Sequence, residues 1–116
     1  MNHEMYFDDK IGVLVMRIKG DFNFDDAIKS TEFIDKIEKE KGSYDVLVDL
    51  CQASPKLDKE VRQMLRKQAQ RTAVGKFAMI VTNPVLRIFG KIATSTMKNS
   101  KFFKTQDEAL AWLEEV

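Results

Sequence analysis

The sequence predicts an α/β fold: one mixed β-sheet of about five strands, its first strand antiparallel to its neighbour, with four helices. Three observations carry that prediction. Residues 77–81, Phe-Ala-Met-Ile-Val, are an unbroken apolar run, as expected of a strand covered on both faces. The run leads into Asn83-Pro84, a favoured helix N-cap followed by a residue suited to the first helical position, so strand passes directly into helix. Elsewhere, segments of strand and helix period alternate, as when parallel strands are joined through helices. Residues 76–83 are read as the central strand, and sheets of this class carry their sites at the carboxyl ends of the strands.

In chain order, Met5 to Phe7 and Ile11 to Lys19 are apolar-rich runs separated by Asp8-Asp9-Lys10, a turn short enough for a hairpin. In the second run Leu14, Met16 and Ile18 form one face, while Val13 and Val15 alternate with them and end at Arg17. From Asn23 the period changes. Phe24, Ala27, Ile28, Thr31, Ile34 and Ile37 predict an amphipathic helix, with Asp25 and Asp26 in its first turn, Lys39 and Lys41 near its end, and Gly42 as C-cap. Residues 44–50 form the next strand, followed by a loop over 52–56 in which Pro55 keeps Ser54 out of the helical region.

A helix starts near Leu57 or Asp58 and buries Val61, Met64, Leu65, Gln68 or Ala69, and Thr72, with Gly75 ending it. After the apolar run at 77–81, Val85, Leu86, Phe89, Ile92, Ala93 and Met97 give the apolar side of a third helix. Gly90 within it costs about 1 kcal/mol relative to Ala and so suggests a close packing contact. Residues 101–104 make a short strand. Thr105 and Glu108 then form a capping box that opens a last helix with Ala109, Leu110, Trp112, Leu113 and Val116 inward.

The chain of 116 residues is expected to be one domain over 1–116, with 44% hydrophobic residues for its core. No apolar run approaches the length of a membrane span, and the N-terminus lacks a secretion signal, so the expectation is a cytoplasmic protein. Cys51 and His3 are each the sole residue of their type, which argues against a disulfide and against a metal site, and no cofactor motif is present. His3 is expected in a mobile terminus.

The net charge of +1 conceals a segregation. Residues 1–50 carry 7 basic and 12 acidic side chains, 51–104 carry 12 and 2, and 105–116 carry 0 and 4. The basic block suits an acidic protein, an anionic ligand or an anionic membrane surface. The plainer expectation is solvated helix faces with acidic neighbours folded beside them.

The order of elements and three stretches resemble the STAS superfamily: Gly12-Val-Leu-Val-Met-Arg-Ile-Lys-Gly-Asp-Phe22, Asp45-Val-Leu-Val-Asp-Leu50, and Phe103-Lys-Thr-Gln-Asp-Glu-Ala-Leu-Ala-Trp-Leu113. The last is similar to the close of the SpoIIAA-like subgroup, whose fold is also likened to lipid-binding SEC14 domains. The resemblance implies a regulatory or binding module. In signalling members a Ser or Thr in an Asp-Ser-x-Gly sequence is phosphorylated at the start of the helix after the strand that ends at Leu50. Here that region reads Lys56-Leu-Asp-Lys-Glu60, so the switch does not carry over. Ser54, the nearest hydroxyl, is expected to be an ordinary turn residue.

The sequence offers no evident nucleophile and base pair, His3 being the sole histidine. Cys51 follows a strand and is either a reactive thiol or, as the plainer expectation, a small buried hydrophobe. Asp49, Thr82 and Lys104 end strands as the phosphoacceptor set of a receiver domain does. However, the acidic pair Asp8-Asp9 lies in a hairpin turn and only one helix precedes Asp49. Aromatic residues do not interleave with the basic ones, which disfavours nucleic acid.

The sequence thus predicts a non-catalytic module binding a partner protein or a small anionic or apolar ligand, with peripheral membrane contact and a homodimer as further arrangements. An enzyme or phosphoacceptor using Cys51 or Asp49 is the alternative. The candidate surface comprises Cys51, Ser54, Leu57, Asp58, Thr82, Asn83, Leu86 and Arg87, with the helix N-terminus at Asn83 to Leu86 favouring an anion and Ile88 with Leu57 as apolar contacts.

Overall fold

A computed structural model describes residues 2–115. In order these form β1 (Glu4–Asp8), β2 (Val13–Gly20), α1 (Phe24–Lys41), β3 (Tyr44–Ala53), α2 (Lys59–Ala69), β4 (Val74–Ile80), α3 (Pro84–Ala93), β5 (Ser100–Phe103) and α4 (Gln106–Leu113). The strands lie in the order β1-β2-β3-β4-β5, with β1 antiparallel to β2 and every other pair parallel. The predicted sheet and helices are therefore present. The middle position belongs to β3, however, with β4 one place from it.

Alternation along the strands divides the core between two faces of the sheet. Leu14, Met16, Ile18, Val46, Val48, Leu50, Phe77 and Met79 face α1, α2 and α3. Val13, Val15, Leu47, Ala78 and Ile80 face α4 through Ala109 and Leu113. Both faces are covered, which is why β4 reads as a continuous apolar run.

Several boundaries differ from the sequence reading because long-range pairing decides them. Ile11 and Gly12 belong to the hairpin turn: Gly12 takes a positive φ of 69° and its N–H donates to the Asp8 carbonyl. β3 runs on to Ala53 because Gln52 and Ala53 pair with Lys19 and Gly20 across a register shift, beyond the reach of local propensity. Gly75 lies in β4; α2 ends earlier, with Gln70 as C-cap and Thr72 exposed beyond it. A Cβ at Gly75 would sit 2.5 Å from Oδ1 of Asp45, the oxygen that accepts the Lys76 N–H at 2.8 Å.

The helix stripes are rotated from their expected positions. In α1, Phe24 and Ile28 are exposed, while Asp26 and Ser30 are buried with Ala27, Ile34 and Ile37. In α3 the buried pair is Leu86 and Gly90, and Val85 and Ile92 are exposed. Gly42 does cap α1, and the Thr105 hydroxyl caps α4 by accepting the Glu108 N–H at 3.3 Å. Val116, read as inward, lies outside the described residues.

His3 is buried and hydrogen-bonded, where a mobile terminus was expected. Its Nδ1 accepts the Lys19 N–H at 2.9 Å, so the ring proton sits on Nε2, which donates to Asp26 Oδ2 at 3.1 Å; Phe22 packs against the ring. No helix among the described residues is long and apolar enough to cross a membrane.

Candidate functional site

A cavity of about 360 Å³ lies between the α1–α3 face of the sheet and helices α2 and α3. Its floor is Met16, Val46, Val48, Phe77 and Met79, its walls include Leu65, Ala69, Leu86, Phe89 and Ala93, and Ser54 and Leu57 of the β3–α2 loop close one end. That volume falls within the range of ~300–1,000 Å³ typical of small-molecule sites. Side chains that are exposed on the surface, Lys59, Gln63, Arg66 and Ile92, also line it, so it opens to solvent between α2 and α3.

Gly90 shows how the space is kept. A Cβ there would lie 2.6 Å from Met79 Sδ, so the bare backbone of α3 accommodates a flexible side chain of the cavity floor. The close contact expected of this glycine is present.

Several polar groups on the cavity wall are already bonded. Gln68 donates to Ser30 Oγ at 2.8 Å and to Thr31 Oγ1 at 2.9 Å, tying α2 to α1. Tyr44 donates to Glu38 at 2.6 Å, and burial together with that carboxylate pushes its phenol far above the ordinary range. Among the described residues no buried side-chain nitrogen or oxygen lacks a partner. The interior therefore offers mainly apolar contact.

Charge collects at the mouth. Arg62 donates to the Leu57 carbonyl at 3.1 Å and stacks over Phe89 of α3 at 4.8 Å, spanning the two helices. Among the described residues Arg71, which meets Asp35 and Glu38, is the one member of the basic block within 4 Å of a carboxylate. Asp35 and Glu38 are thus acidic neighbours of the kind expected, whereas the other ion-paired carboxylates of the first half meet His3, Arg17, Lys19, Lys29 and Lys41.

The model of a family described as a domain of unknown function, DUF7793, matches residues 5–116. The chain belongs to that family. Among solved structures, this DUF7793 chain is similar to the anti-sigma factor antagonist SpoIIAA in its unphosphorylated form, with TM-score 0.72 and 11% identity over 98% of this chain and 99% of the other. It is also similar to an uncharacterized DUF3478-family protein with a SpoIIAA-like fold from Shewanella loihica PV-4, with TM-score 0.75 and 16% identity over 96% and 91%. The protein TM1081, solved by NMR, aligns with TM-score 0.63 and 14% identity over 97% and 88%. The DUF7793 chain thus has the SpoIIAA-like fold predicted from its sequence; at these identities the likeness speaks for the fold. No curated protein matches the sequence.

The candidate residues do not gather at one place in the DUF7793 structure. Ser54, Leu57 and Leu86 line the cavity, together with Leu65, Gln68, Ala69, Met79 and Ala93, which the site reading did not include. Asp58 is the exposed N-cap residue of α2 without a side-chain capping bond, Thr82 is exposed after β4, and Arg87 stacks over Phe102 at 5.6 Å. At α3 the Asn83 side chain accepts the N–H groups of Val85 and Leu86, at 2.9 and 3.2 Å, and Arg87 N–H donates to the Asn83 carbonyl. The donors expected to favour an anion at this helix start are therefore occupied.

Cys51 is exposed at the end of β3, where a buried hydrophobe was expected, and it does not line the cavity. Asp49 is held between Arg17, whose Nη1 donates to Oδ2 at 2.9 Å, and the Cys51 N–H, which donates to Oδ1 at 3.0 Å. Modest burial, and then the hydrogen bond and negative charge of Asp49, hold the Cys51 thiol above its ordinary value. A raised thiol pKa means less thiolate at pH 8. Cys51 is therefore expected to react with a disulfide reagent more slowly than glutathione at that pH, and Asp49→Asn to speed the reaction by removing the charge. An unchanged or slower rate in Asp49→Asn would show that the carboxylate does not control the thiol.

Proposed function

We propose that this chain is a non-catalytic binding domain whose cavity holds the apolar body of a small amphiphile, with its anionic end at the mouth beside Lys59, Arg62 and Arg66. The observation that carries the reading is the division of the site: a largely apolar interior, and, where it meets water, cations that among the described residues have no carboxylate within 4 Å. An apolar chain removes its own surface from water on entering, which contributes about 25 cal/mol per Å². A polar substrate would meet mainly apolar walls and would recover little of the hydration it lost. A fatty acid or similar long-chain anion fits both parts.

The expected result is saturable displacement of a fluorescent fatty acid by medium- and long-chain fatty acids. At a ligand concentration of 100 times Kd the gain is about 2.7 kcal/mol, worth roughly 10 °C in melting temperature for a domain of this size. Arg66→Glu should weaken binding several-fold, more at low salt than at high, as for an exposed ion pair. Absence of displacement by any chain length, with amide shifts unmoved at Leu65, Met79 and Ala93, would refute the reading.

A partner-protein reading has one observation in its favour, the likeness in fold to an anti-sigma factor antagonist. The segment Lys56-Leu-Asp-Lys-Glu60 at the start of α2 offers no hydroxyl to phosphorylate, so such recognition would proceed without that switch.

A further inference from the structure

We propose that α3 is a docking surface for an anionic lipid bilayer, placing the cavity mouth against the membrane from which the amphiphile is taken. This rests on the cavity reading above. On α3 the residues Val85, Ile88 and Ile92 are 46%, 58% and 53% exposed. Their spacing of three and four puts them on one side of the helix, turned away from buried Leu86 and Gly90. Three half-exposed aliphatic side chains in line form a patch, which single exposed apolar residues do not.

The charges beside that line select its occupant. Arg62 and Arg66 of α2 lie at the mouth on one side, and Arg87 and Lys91 follow on the other side of α3. An apolar stripe between cations is the pattern of a helix lying in a bilayer interface, where aliphatic side chains enter the acyl boundary and basic ones meet anionic headgroups. A second copy of this chain would bring the same cations face to face and be repelled. Ile92 belongs to both the stripe and the cavity lining, so the docked helix would shield the mouth from water while a poorly soluble ligand crosses. A protein seated there would cover the opening instead.

The test is co-sedimentation of the full chain with vesicles of phosphatidylcholine, with and without phosphatidylserine. The wild type is expected to bind the anionic vesicles and to be released when salt shortens the screening length from ~10 Å to ~3 Å. Val85→Ser/Ile88→Ser should lower partitioning at least tenfold, and Arg87→Glu/Lys91→Glu should do the same. Neither Val85 nor Ile88 lines the cavity, so the first variant should keep wild-type fatty-acid affinity in solution. Fatty-acid binding without vesicle binding would overturn the docking surface and leave the cavity reading standing. Vesicle binding through Val85 and Ile88 without fatty-acid binding would do the reverse. Vesicle binding that depends on the cations alone would overturn insertion of the stripe and favour an acidic protein. Concentration-dependent dimerisation abolished by Val85→Ser/Ile88→Ser, with no vesicle binding, would assign the face to a second copy.

Discussion

Asp26→Ala is expected to lower the unfolding free energy by about 3 kcal/mol, from one orphaned buried donor at ~1–3 kcal/mol and one lost helix cap at ~0.5–2 kcal/mol. Asp26 is buried at the third position of α1, where its Oδ2 accepts both the Asn23 N–H at 3.1 Å and the His3 Nε2–H at 3.1 Å. Asn23 returns the bond by accepting the Asp26 N–H at 2.9 Å, so a reciprocal capping box also anchors the N-terminal segment. The substitution strands the imidazole nitrogen inside the fold. His3→Ala removes that stranded donor, so the double variant should be more stable than the sum of the single losses implies. Urea unfolding with an unchanged m-value measures each loss. A loss below about 1 kcal/mol for Asp26→Ala would show that water reaches the site and that the network adds little.

That network also shows why part of the fold was hidden in the sequence. Local signals spoke for local structure: the apolar run from Phe77, the Asn83-Pro84 start of α3, the alternation along β2 and the glycine after α1 each depend on a few neighbouring residues. His3 acquires its role from Lys19 and Asp26, which are distant in the chain, so its isolation in the sequence was misleading. The α1 stripe shifted because Ser30 and Thr31 accept from Gln68 of another helix, which turns Phe24 and Ile28 outward. Tertiary hydrogen bonds chose a face that hydrophobic periodicity placed elsewhere.

The candidate cavity was legible only at its rim, where it touches the carboxyl ends of strands. Ser54 and Leu57 follow β3 and Leu86 follows β4, so the rule for parallel sheets led to the rim of the cavity. Its interior was not legible, because a void between sheet and helices depends on how far the helices stand off, and no residue pattern reports that distance. The nearest signal was Gly90, a poor helix residue in the middle of α3 whose missing side chain makes room for Met79.

Ala69→Phe is expected to leave stability unchanged or raised while weakening fatty-acid binding at least tenfold, about 1.4 kcal/mol. Ala69 is 4% exposed and lines the cavity, so added ring atoms enter open space and gain the contacts that an unfilled apolar wall lacks. The control is Val61→Phe on the same helix. Val61 is fully buried, packs in the same core and does not line the cavity, so enlarging it should cost ~1–3 kcal/mol by overpacking. The pair separates a binding cavity from an ordinary packing gap. If both variants are destabilised alike, the space beside Ala69 cannot accept a side chain and the cavity is too small to take a ligand. If Ala69→Phe is stable yet binds fatty acid as the wild type does, the ligand sits elsewhere. Loss of binding with stability retained is the one result that puts the apolar chain of the ligand where the ring now lies.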